Sequence, residues 1–379
     1  MSTASNKTDK DTTELQISVR LILNLIQQFQ SPDSSNPVGP DNSTSVNILD
    51  LVHDCATLIH VHSVKLSLLL SNKPFTPSAI SRVLCELANG PIPSLLYAVE
   101  LCNSQENPRL ISLEIEHRVK HILAEVKSLV EISPSSTGLL ANSLYDGMDT
   151  NGNSSLKIVG TIWENCDALK ELKNLGIVGI YVKKIEEYRD LIKDALEELQ
   201  EWAMEESDTE TDNEEAALPD NDTSQYANEW FSTCSKHIPS QDPYEIRPRL
   251  QITLKKLRLL ILMFQAIIKR RLNILPGQPN LRQEVPSENY MPILKTVKLL
   301  DQLIDHIKKI SDLTDDLTGS FYDLDVKQID QKMKECFLTG SVAVESLVNN
   351  WEGNSDNFST WLLSFQKIIV SENANHELG

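Results

Sequence analysis

Apolar side chains recur along this chain at alternating spacings of four and three residues, and only an α-helix keeps such a series on one face. Ile48, Val52, Cys55, Ile59, His62, Leu66 and Leu69 form one stripe of this kind. Tyr181, Ile185, Tyr188, Ile192, Ala195, Leu199 and Trp202 form another, and Ile158, Ile162, Cys166, Leu169 and Leu172 a third. Further stripes run Leu250–Ile268, Ile293–Ile307 and Val326–Leu347. Burying each large side chain stabilises the fold by roughly 1.5–3 kcal/mol. A lone helix cannot bury its own stripe, so these helices must pack on one another. Aromatics at 6% and 13 glycines in 379 residues leave little material for sheets and their turns. The spacing therefore predicts an all-α fold of antiparallel bundles with short polar breaks.

Local signals mark further helices at Glu14–Gln30, Thr76–Ala88, Pro108–Ile132 and Asn357–Ile369. Asn89-Gly90-Pro91-Ile92-Pro93 predicts a break, with helix resuming over Leu95–Cys102. Gly176 and Gly179 predict a turn between two helices. Ser31–Thr44 reads as a linker and Ser133–Ser154 as a loop.

Charge supplies the domain organisation. Between Lys193 and Lys236 there are fourteen Asp or Glu and no Lys or Arg, so −14 of the formal −19 is local. Self-repulsion and few apolar residues keep such a run unfolded. The expected organisation is a disordered N-terminus at 1–13, a bundle at 14–204 and an acidic linker at 205–225. A second bundle at 226–371 and a disordered tail at 372–379 complete it. An acidic chain is a poor phosphate-neutralising binder, so direct nucleic-acid binding is not expected.

No pair of the six cysteines is spaced as Cys-x-x-Cys. They read as reduced thiols, placing the chain in cytoplasm or nucleus. The polar start lacks a signal core, and the apolar run Leu257–Ile268 is interrupted by Arg258 and too short for a bilayer. A soluble, non-secreted protein with no membrane span is expected.

Chemistry-bearing motifs are sparse. There is no Gly-x-Ser-x-Gly elbow, phosphate-binding Gly loop or dinucleotide fingerprint, so no enzyme and no cofactor are expected. His117 and His121 stand four apart, as metal ligands on a helix do, but Arg118 and Lys120 lie between them and the simpler reading is a surface face. Glu114-x-x-His117 is half of a di-iron pattern with no second half. The calcium-loop hint at Asp149–Asn153 fails at its first and last ligand positions, Gly147 and Ile158. Arg82-Val-Leu84, Arg189-Asp-Leu191 and Arg258-Leu-Leu260 match a cyclin-docking tripeptide, yet all fall in predicted helices, and docking motifs are extended.

Two features remain as candidate sites. Ser207, Thr209 and Thr211 each have an acidic residue three positions on, the pattern acidophilic casein-kinase-2-type enzymes favour. Each phosphate would add roughly −1.5 to −2 charge. Lys255, Lys256, Arg258, Lys269, Arg270 and Arg271 form a basic cluster just after the acidic run. It could hold an acidic partner or clasp the linker, or be no more than the polar face of a core helix.

The block Gly160-Thr-Ile-Trp163-Glu-Asn-Cys166-Asp-Ala-Leu169, followed by Lys193-Asp194-Ala195-Leu-Glu-Glu198 and then the acidic run, resembles the cyclin-D-binding protein family. The resemblance implies two helical bundles of the talin or vinculin kind without enzymatic activity. It also implies cyclin or helix-loop-helix partners, a role in cell-cycle or transcriptional control, and residence in nucleus and cytoplasm. The alternative reading is a cytoskeletal or membrane-associated adaptor, which helical stripes fit equally well.

Overall fold

The computed structural model describes residues 2–30, 47–71, 76–103, 107–131, 153–204, 237–239, 241–275 and 287–371. Among these the chain is helical with no strand: α1 (Ser2–Gln30), α2 (Ile48–Ser71), α3 (Pro77–Asn89), α4 (Pro91–Cys102), α5 (Arg109–Glu131), α6 (Asn153–Met204), α7 (Ile246–Arg270), α8 (Ser287–Tyr322), α9 (Val326–Glu345) and α10 (Asn357–Val370), with a 3-10 turn at Leu272–Ile274. The all-α expectation holds. Gly90 breaks α3 from α4, and prolines open each of the two helices.

Helix α1 spans Ser2–Gln30, beginning ahead of the Glu14 start that the sequence predicts, and Lys10 faces Glu14 at 3.9 Å, one turn apart. The expected break at Gly176 is present: its backbone is non-helical, and a kink there joins the two helical stretches of α6. The Gly176 φ of 63° and ψ of −178° suit only glycine. Residues 205–225 and 372–379 lie outside the described residues, as does nearly all of the expected loop at 133–154.

Packing divides the chain into two compact units, residues 1–180 with 278–297 and residues 181–277 with 298–379. The division falls inside α6, not at the acidic run where composition predicts it. The reason is continuity of pattern: the stripe that begins at Tyr181 is buried with the C-terminal helices, although it belongs to the helix that precedes the acidic run.

In the first unit α1 packs on α3 and α5, and α2 packs on α3 and α4. The N-terminal part of α6 runs antiparallel to α2. Trp163 Nε1 donates to Ser63 Oγ at 3.2 Å, and Lys173 pairs with Asp50 at 3.0 Å thirteen residues earlier along α2. The α2 stripe is buried as its spacing predicts, with Val52, Ile59 and Leu66 at the centre.

The second unit is an up-and-down bundle. The C-terminal part of α6 runs parallel to α8, with Tyr181 on Asp301 and Trp202 against Phe321. Antiparallel contacts join α7 to α6 through Arg258 and Gln200, α8 to α9 through Asp316 and Lys332, and α9 to α10 through Ser341 and Gln366. Asp residues start three of its helices. Asp242 accepts from the Ile246 and Arg247 amides, Asp325 from Lys327 and Gln328, and Asp356 from Ser359 in a reciprocal capping box.

Candidate interaction surface

Helix α7 carries the basic cluster, and its register separates that cluster into two kinds of residue. Leu250, Thr253, Leu257, Leu260, Phe264 and Ile267 face inward. Lys255, Arg258, Lys269 and Arg270 are exposed. Lys256 is only 5% exposed and Arg271 only 1%. The six residues therefore do not form one partner surface, which corrects the expectation for Lys256 and Arg271.

Those two cations serve the bundle itself. Lys256 Nζ donates to the Ser371 carbonyl at 2.8 Å, satisfying an acceptor at the end of α10, and lies 5.0 Å over the Phe337 ring. Arg271 grips Asp356 with both terminal nitrogens, at 2.9 and 3.1 Å, while its Nε donates to the Leu347 carbonyl at 2.9 Å. Its guanidinium also lies 4.7 Å over Phe358.

Three of the exposed cations, Arg258, Lys269 and Arg270, line grooves. Arg258, Leu262, Gln265 and Lys269 follow one another at spacings of four, three and four, so they share a face. On one side of this ridge Arg189, Lys193, Leu196 and Gln200 complete a groove of about 660 Å³. On the other, Ile274, Phe358 and Trp361 complete one of about 720 Å³. Lys269 and Arg270, in the last turn of α7, complement the negative end of its dipole.

The first unit has a surface that its sequence signals less openly. Leu58, Val61 and Leu68 are all exposed on α2, Leu68 at 59%, and with Lys65 they follow a three-four-three spacing on the side away from the buried stripe. Lys65 and Leu68 also line a groove of about 700 Å³ with Leu69, Ala79, Arg82 and Val83 of the α2–α3 pair. The clue is present in the sequence, because α2 is apolar on two faces, but the deeper stripe masks it.

The remaining candidates have plain structural roles. The His117 and His121 rings meet edge to face at 4.6 Å, and among the described residues no cluster of three or more potential ligands forms a metal site. Glu114, the other half of the di-iron hint, is bound by Arg118 at 2.9 Å. Leu84 and Leu260 of the Arg-x-Leu tripeptides are fully buried, and Arg189 is engaged by Asp190 at 2.8 Å. Trp163 stacks on His60 at 5.2 Å, and Cys166 is buried, so both act in packing. Ser207, Thr209 and Thr211 lie outside the described residues. No described helix is long and apolar enough to cross a membrane.

The helical units and their exposed apolar grooves define a class, a helical scaffold that offers helix faces. Residues 51–205 match the family described as Grap2 and cyclin-D-interacting, N-terminal. Over that region the match agrees with the resemblance to the cyclin-D-binding family drawn from the Trp163–Glu198 block. The chain is also similar to an uncharacterized protein of Schizosaccharomyces pombe, 23% identical over 351 residues covering 90% of each chain.

Proposed function

We propose that this protein is a non-enzymatic regulator of cell-cycle progression or transcription that works in nucleus and cytoplasm by binding partner proteins through its helices. The carrying observation is the match of residues 51–205 to a cyclin-D-interacting domain, a region that contains the exposed Leu58–Val61–Leu68 stripe and its groove. An apolar groove between two helices suits the apolar face of a partner's amphipathic helix. Lys65 at its rim favours a helix with an acidic flank, whereas Arg82 is paired with Glu86, which also lines the groove. The family match makes a D-type cyclin or a helix-loop-helix protein the first partner to test.

The test is binding of the purified full chain to a purified D-type cyclin and to a helix-loop-helix protein, each measured by calorimetry. The double substitution Val61→Lys with Leu68→Lys alters only exposed positions and is expected to weaken binding at least tenfold, about 1.4 kcal/mol. If the wild-type chain binds neither protein and instead sediments with actin filaments or anionic vesicles, the adaptor reading replaces this one. A net charge of −19 opposes both of those acidic surfaces.

A further inference from the structure

The groove between α7 and α10 inverts the character of the chain around it. Its floor is apolar, with Leu262 and Ile274 exposed at 50% and 55%. Trp361 closes the floor and is fixed by stacking against Phe358 and Phe365, with ring centres 5.6 and 5.7 Å away. Its rim is Lys269 and Arg270, and neither has an ion-pair partner among the described residues. Asp356, the carboxylate in the lining, is already held by Arg271. An occupant must therefore supply carboxylates and large apolar groups together.

The chain contains such a segment. Residues 205–231 hold ten Asp or Glu and no Lys or Arg, followed at their end by Tyr226, Trp230 and Phe231. The segment is anchored at both ends on the unit that carries the groove. It leaves α6 at Met204, and Gln200 of that last turn meets Arg258 of α7. It returns at His237, ahead of the start of α7 at Ile246. From the level of Arg258 to that of Arg270 is about 18 Å along the helix. The residues between the two anchors span up to about 110 Å when extended, so the segment reaches the groove and returns. Tethering sets its local concentration in the millimolar range, so even weak complementarity fills the groove.

We propose that residues 205–231 are the occupant of the α7–α10 groove. The acidic run lies against Lys269 and Arg270, and Tyr226, Trp230 and Phe231 cover the Leu262–Ile274–Trp361 floor. The contact is intramolecular, and an outside acidic partner must displace it.

Hydrogen exchange of the full chain tests this without any added partner, so its outcome is independent of the cyclin reading. Two variants are compared with wild type. One neutralises the acids of 205–215 to Asn and Gln; the other carries Trp230→Ser and Phe231→Ser. Neither changes a residue of the described bundle. Peptides from 262–275 and 357–364 should exchange faster in both variants, and raising salt to 1 M should speed exchange in wild type only. Carbodiimide coupling in a mixture of light and isotope-labelled protein should join Lys269 to carboxylates of 205–229 within one copy. Equal exchange in wild type and variants overturns the proposal. So does a Lys269 cross-link that joins a light copy to a heavy one, which would make a second copy the occupant.

Discussion

Arg271 and Asp356 form a two-pronged ion pair in which the arginine is buried and the aspartate does a second job as the cap of α10. The Asp356 carboxylate accepts from both Arg271 terminal nitrogens and from the Ser359 amide at 2.8 Å. The pair thereby fixes the end of α7 to the start of α10, and the remaining Arg271 donors hold the carbonyls of Leu347 and Val348 in the preceding loop. Trp351 completes the junction by donating its indole N–H to the Arg271 carbonyl at 2.8 Å.

Arg271→Met should destabilise the second unit by about 3 kcal/mol, the lower end of the range for removing one partner of a buried pair, because Asp356 still reaches water. Arg271→Lys should recover little of this, since an ammonium cannot reproduce the planar fork or reach the two loop carbonyls together. Urea unfolding of the three proteins compares these losses. A Lys variant as stable as wild type would show that charge alone holds the junction.

Stability should fall in two steps on acidification. Burial, reinforced by Lys65 and opposed by Glu86, lowers the His62 pKa below 6.5, and burial likewise lowers that of His306. Unfolding then takes up protons that the native histidines refuse. Their contribution is present above 6.5 and is lost as pH falls below it. The hydrogen bonds from Arg271, with those from Ser359, hold Asp356 far below its ordinary value of 3.8. Its contribution is therefore present above that value and is lost as pH drops further. Thermal melts between pH 8 and 2 should show both losses, and His62→Leu with His306→Leu should remove only the upper one.

The buried cysteines should resist alkylation in the folded chain. Burial pushes Cys55, Cys166 and Cys336 up to about 12, leaving almost no thiolate at neutral pH. Cys85 is less buried and should label first among the described cysteines. Iodoacetamide labelling followed by mass spectrometry reads the order, and rapid native labelling of Cys336 would contradict the packing of α9 against α8.

The stripes were legible because helical period is a local property, and Ile59, Leu66, Leu257 and Val344 lie buried where their spacing puts them. Asp356 and Ser359, three residues apart before an apolar run, likewise announce a helix start. The fate of Lys256 and Arg271 was not legible. Their acceptors stand 115 and 85 residues further along the chain, and nothing in the local pattern distinguishes them from Lys255 and Arg270. The unit boundary was hidden for a related reason. Composition changes sharply near residue 205, but packing changes at Tyr181, at the start of the helical stretch that follows the Gly176 kink. The exposed α2 face is obscured because one helix carries two apolar stripes, and the longer, buried one dominates its pattern.

Gly340 offers a test of how tightly α7 and α9 meet. A methyl group added there would lie 2.7 Å from Leu260 Cδ2, and Leu260 is fully buried. Helix propensity alone would reward Gly340→Ala by about 1 kcal/mol, because Gly340 sits inside α9. Overpacking opposes it by about 1–3 kcal/mol. Leu260 is the far end of a flexible side chain, but its neighbours Leu257, Met263 and Phe264 are themselves buried, so it has little room to turn. The steric term should win by about 1 kcal/mol for alanine and by more for Gly340→Val, which gains less propensity and adds more volume. Gly340→Ala with Leu260→Val should restore much of the loss by making room for the methyl. Chemical denaturation of the single and double variants measures the coupling. Additive effects would mean that the two helices yield at this point instead of the side chain.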